Sequence, residues 1–164
     1  MINTPKARVP KGYDRPPGRS ADQTQICCRF MHTTNASQSV SRILDFFKAE
    51  EREQIRRQLA DTLQAVICQR MVMTLANGMT PALEILINTP TVKKLIEENR
   101  LDKFPAAIET GTDDGMINFN QALFNLVKSG KVSEPEALSK ASNPQALEMN
   151  FKGIFLDESR RILD

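Results

Sequence analysis

The sequence predicts a mainly helical protein with a few short strands in its first half. Three observations predict it. Among 164 residues there is no Trp and one Tyr, and helix formers are abundant. Apolar residues recur at helical spacing in several windows. Strand-like runs are confined to Ile26–Met31 and to two stretches flanking Asn77-Gly78. The length suits one domain, or one domain with an appended piece, and can bury a substantial core.

Residues 1–20 hold Pro5, Pro10, Pro16 and Pro17 with no hydrophobic period, which predicts a disordered tail. The apolar run Ile26–Met31 reads as a strand that ends in His32. The polar turn Thr33–Asn35 follows, and then an amphipathic helix with Val40, Ile43, Leu44 and Phe47 on one face. A strand that delivers a His just before a helix N-terminus can present that side chain to a phosphate. Arg29 in a central strand would carry a costly buried charge, so it implies an edge or a pairing partner.

Ala49–Gln69 reads as one long helix, with Ile55, Leu59, Leu63 and Val66 at helical spacing. Its face of Arg52, Arg56 and Arg57 reads as solvated, with a subunit interface as the alternative. A hairpin is then predicted from Arg70–Leu75 and Pro81–Ile87 around Asn77-Gly78, a favoured tight-turn pair. Glu84 interrupts its second strand. It reads as outward-facing, and a polar contact into the core is the alternative. From Thr89 onward the chain reads as all-helical. Thr89 and Pro90 start a helix to Glu98 with Val92, Leu95 and Ile96 on one side. Phe104–Thr110 stops at Gly111, and Asp113-Asp114-Gly115 forms a solvated turn. Phe119–Ser129 directs Leu123, Leu126 and Val127 inward and closes at Gly130. Ser133 and Glu136 suggest a capping box, and Asn143-Pro144 starts another helix. Phe151, Ile154 and Phe155 mark a tail that packs on the bundle or docks on a partner.

Composition excludes several functions. The net charge is +2, yet residues 1–20 hold five basic residues against Asp14. That arm lacks the aromatic interleaving of a nucleic-acid binder, so no nucleic acid is expected. No apolar run approaches the roughly 20 residues needed to span a bilayer. Cys27, Cys28 and Cys68 lack metal-ligand spacing and read as buried reduced thiols, as expected in a cytosolic protein. A single His excludes a two-His metal site, and no Ser stands in a nucleophile elbow. No Gly-x-x-x-x-Gly-Lys-Ser/Thr loop occurs among the 164 residues. Such a loop would cradle phosphates, neutralise them with its Lys and offer a hydroxyl to Mg²⁺.

His32-Thr33-Thr34-Asn35-Ala36 followed by Arg42-Ile43-Leu44-Asp45-Phe46-Phe47 resembles the histidine box of the PilT/PilU-type secretion ATPases, which power type IV pilus retraction and twitching motility. The resemblance continues through Leu63–Ile67, Glu84–Pro90 and Gly115-Met116 to about Leu147, covering roughly residues 21–150. Thr91-Val92-Lys93-Lys94-Leu95-Ile96-Glu97-Glu98 is similar to the family's short retraction-associated helix. Lys93 replaces an Arg there, and Glu97 replaces a basic residue.

The resemblance implies an α/β remnant of a RecA-like ATPase core over residues 21–88, an all-α helical domain over 89–149 and a tail over 150–164. It implies that His32 senses the γ-phosphate or its water, that Thr33 and Arg42 hold the box, and that Thr91–Glu98 carry a partner-dependent retraction step. ATP and Mg²⁺ are the cofactors implied for the full-length family. The implied partners are full-length ATPase subunits in a hexameric ring and the inner-membrane platform protein. The implied location is cytoplasmic, at the inner face of that membrane. Without the phosphate loop, the acidic strand before the histidine strand and the family's arginine-bearing N-terminal domain, the chain alone is expected to bind no cofactor and to be inactive. The alternatives are an accessory module that modulates a full-length ring, or an unrelated helical binding protein.

Overall fold

A computed structural model describes residues 33–154. The basic residues 1–20, the predicted strand Ile26–Met31 with Arg29, Cys27 and Cys28, His32 and residues 155–164 lie outside the described residues. Within them the architecture is mainly helical, with one two-stranded antiparallel sheet.

Helix α1 spans Ala36–Asp45, and the Asn35 side chain accepts from the Gln38 amide to cap it. Val40 and Leu44 are buried, as the periodicity predicts, and Ile43 is half-buried. Helix α2 is Arg52–Thr62, much shorter than the predicted Ala49–Gln69. Residues 65–69 belong instead to strand β1, Ala65–Met73. The spacing Leu59, Leu63, Val66 fits a helix, but Val66, Cys68, Arg70 and Val72 fit a strand face equally well. Tertiary contacts decide between them. The Asn88 amide nitrogen donates to the carbonyls of Ala60 and Leu63, both at 2.8 Å, and closes α2.

Strand β2 is Met79–Ile87, paired in register from Ala65 opposite Ile87 to Met73 opposite Met79. The connection runs over residues 74–78. Asn77 takes a positive φ of 58°, which Asn tolerates, so the turn is longer than the predicted Asn77-Gly78 pair. One hairpin face is covered by helices. The other exposes Ile67, Met71, Met73 and Met79, and Leu75 at the tip is exposed too.

Helix α3 is Pro90–Glu97, with Thr89 accepting from the Val92 amide. Helix α4, Phe104–Thr110, ends at Gly111 as predicted. A Cβ on Gly111 would stand 2.6 Å from the Met116 methyl, so a side chain there would have to displace the Met116 thioether, and no left-handed turn is involved. Gly115, at φ 87°, does take the left-handed conformation and completes the Asp113-Asp114 turn. Helix α5, Phe119–Lys128, starts on a full capping box between Asn118 and Gln121. Helix α6, Glu134–Lys140, has Ser133 as cap, but its Glu136 carboxylate accepts from the Met73 amide instead of closing a box. Helix α7 is Pro144–Phe151, capped by Asn143.

Two cores result. The first joins Ala36, Val40 and Ala60 to Leu86, Val92, Ile96, Phe104 and Ile108. The second joins Cys68, Val72 and Ala82 to Phe119, Leu123, Val132, Ala137 and Leu147. Both draw residues from either side of the sequence-derived boundary at 88/89.

Candidate functional site

The described chain begins at Thr33, one residue after His32, and the polar groups converge on that turn. The Thr33 hydroxyl lies 2.6 Å from the Ser39 hydroxyl, which also donates to the Asn35 carbonyl. Thr34 donates its amide and its hydroxyl to the Gln38 side chain. The Ala36 amide, one of the orphan donors of an α-helix start, donates to a Glu84 carboxylate oxygen at 2.8 Å. Arg70 donates from Nη2 to the Thr34 carbonyl at 3.1 Å. Tethers from α1, β1 and β2 thus fix residues 33–36.

The outward reading of Glu84 is therefore corrected. Glu84 is 7% exposed, on the covered face opposite Cys68 in the ladder. Strand alternation gives its direction, and the helix N-terminus gives a charged side chain a reason to be there. Burial pushes its carboxyl above the ordinary value, while the Ala36 amide and then the Arg70 charge pull it back. Burial lowers the Arg70 pKa, and the Glu84 charge opposes that. Burial also pushes the Cys68 thiol up, against its contact with the Ser39 hydroxyl at 3.7 Å. Cys68 is a free buried thiol, in keeping with its predicted reduced state.

Arg42 is exposed in the last turn of α1. On the Thr91–Glu98 segment, Val92, Leu95 and Ile96 are core residues, while Thr91, Lys94, Glu97 and Glu98 are exposed. Lys93 pairs with Asp61 of α2 at 2.5 Å, and Arg56 of α2 donates to the Glu97 carbonyl. The segment is docked on α2, and a partner would meet its polar side. Sequence reasoning missed Arg70 and Asn118. Asn118 was visible as the Asn-x-x-Gln form of the capping pattern, whereas Arg70 has no local signal. Among the described residues no cluster of His, Cys, Asp and Glu could hold a metal ion, and no helix is long and apolar enough to cross a membrane.

The cluster is built to hold a backbone turn in place, and comparison with known proteins gives that turn a context. No family model matches the chain. The type IV pilus retraction ATPase PilT of Pseudomonas aeruginosa is 36% identical over 115 residues, 70% of this chain and 33% of its own length. A twitching motility protein of Neisseria gonorrhoeae is 37% identical over 118 residues, 71% of this chain and 32% of its own. The type IV pilus ATPase PilU of Pseudomonas aeruginosa is 30% identical over 133 residues, 80% of this chain and 35% of its own. A crystal structure of the pilus retraction motor PilT with bound ADP matches 72% of this chain and 33% of its own, with a TM-score of 0.63 at 30% identity.

Fold and sequence thus point to the same class, the secretion ATPases. The chain belongs to the PilT/PilU-type family of type IV pilus ATPases. It spans about a third of the length of the relatives it matches.

Proposed function

We propose that the chain acts as the C-terminal part of a type IV pilus retraction ATPase. Residues 21–88 form the end of its RecA-like core, and residues 89–149 form its helical domain. His32 faces the γ-phosphate or its attacking water, Thr33 and Arg42 support the histidine box, and the polar side of Thr91–Glu98 meets the partner that transmits retraction. The partners are other ATPase subunits in a ring and the membrane platform protein, at the cytoplasmic face of the inner membrane. The carrying observation is the tethered turn at Thr33–Ala36. A residue that reads a phosphate works only if its geometry is set in advance, and side chains from α1, β1 and β2 hold the turn that follows His32.

The 164 residues contain no phosphate loop. In this reading ATP and Mg²⁺ are bound by parts of the ring that this chain does not supply, and the chain alone hydrolyses nothing. The test mixes the tagged chain with a full-length PilT-type ATPase and measures co-purification and ATP turnover. Co-purification with changed turnover is expected, and His32→Ala should keep the binding and lose the change. No binding at micromolar concentration would overturn the assembly. A change in turnover that survives His32→Ala would remove His32 from the mechanism.

A further inference from the structure

We propose that Arg70 is a positioning residue that couples the turn after His32 to the corner between α6 and α7. The inference deepens the reading above, because His32 is what the turn would carry, yet its test needs no nucleotide. Arg70 donates from Nη2 to the Thr34 carbonyl at 3.1 Å and from Nη1 to the Lys140 carbonyl at 2.7 Å. These acceptors lie 36 residues before and 70 residues after it. The guanidinium carbon sits 3.8 Å from the centre of the Phe119 ring, which is itself buried. Stacking holds the guanidinium plane, and the rigid fork fixes the directions of its N–H groups. A carbonyl that moves therefore either loses its bond or drags the plane, and with it the other carbonyl.

The corner has its own anchor, separate from the turn. The Asn120 side-chain oxygen Oδ1 accepts from the Ser142 and Asn143 amides at 3.1 and 3.4 Å, and its Nδ2 donates to the Asn143 carbonyl at 2.8 Å. Asn120→Ala thus loosens the corner without touching residues 33–36. Coupling between two sites is established by a cycle of such variants, not by adjacency.

The experiment measures amide exchange at Thr34–Ala36 by NMR in the full chain. It compares the wild type, Asn120→Ala, Arg70→Lys and the double variant, with Leu86 and Leu123 amides reporting on the two cores. Asn120→Ala should speed exchange at the turn by about tenfold, the scale of one charge-assisted hydrogen bond. In the Arg70→Lys background it should add nothing, because Lys keeps the charge but cannot span both carbonyls. An unchanged turn in Asn120→Ala, or an equal effect in both backgrounds, would overturn the coupling. If Arg70→Lys fails to fold, the Thr34 carbonyl ¹³C shift in Asn120→Ala alone decides, and an unmoved shift rejects the proposal. Failure of the chain to bind a full-length ATPase would sink the functional reading and leave this result standing.

Discussion

Around the first core, α1 and α3 begin on side-chain caps, Asn35 and Thr89, but α2 and α4 do not. Helix α2 is held by groups distant in sequence: Asn88 on the carbonyls of Ala60 and Leu63, Arg56 on the Glu97 carbonyl, Lys93 on Asp61. Around the second core, α5, α6 and α7 each begin on a side-chain cap, Asn118, Ser133 and Asn143. Short-range signals place those helices, and the stack of Phe124 on Phe151 then closes that side at 5.7 Å. The difference teaches that α2 is specified from a distance, whereas the capped helices are specified locally. Disturbing one strut of α2 moves several elements, whereas losing one cap frays one helix.

The largest effect should come from dividing the chain at 88/89. Each core would lose its hairpin residues, so the isolated fragment 89–164 should show no cooperative melting by circular dichroism. A sharp transition in that fragment would mean that the second core stands without the hairpin. Next in size are single truncations. Phe104→Ala, in the first core, should cost about 3–5 kcal/mol, and Leu147→Ala, in the second, about 2–5 kcal/mol in urea unfolding. Leu147 belongs near the lower end, because one short capped helix can settle into the gap. Equal losses would erase the contrast.

The smallest effect concerns pH. The folded Glu84 carboxyl has a raised pKa, so its contribution to stability is complete below its ordinary value near 4.5 and is lost as pH rises through the raised one. Gln can still accept from the Ala36 amide and has no charge to desolvate. The melting temperature of Glu84→Gln minus that of the wild type should therefore increase between about pH 4 and about pH 7. A flat difference would mean that the Ala36 amide and the Arg70 charge together offset the burial.

The same contrast decides what the sequence could reveal. Thr89, Ser133 and Asn143 announce their helices through side chains within three residues of the amides they bind, so α3, α6 and α7 were legible. The end of α2 was not, because Leu63 and Val66 satisfy both periods, and Asn88, 25 residues beyond Leu63, resolves the choice. Glu84 was misread as outward because its partner, Ala36, lies 48 residues away. The histidine box itself was recognisable as a string of residue types, but the tethers behind it belong to three elements and are a property of the fold.

The bare outer face of the hairpin carries a chemical consequence. Met71, Met73 and Met79 stand in solvent, at 43, 56 and 58% exposure, while Met116 is sealed in the first core at 4%. Peroxide converts an accessible thioether to a polar, chiral sulfoxide and spares a sealed one. The strand pair is therefore a chemical probe of its surroundings: peroxide adds oxygen to these three residues where the face is open, and anything laid across it shields them.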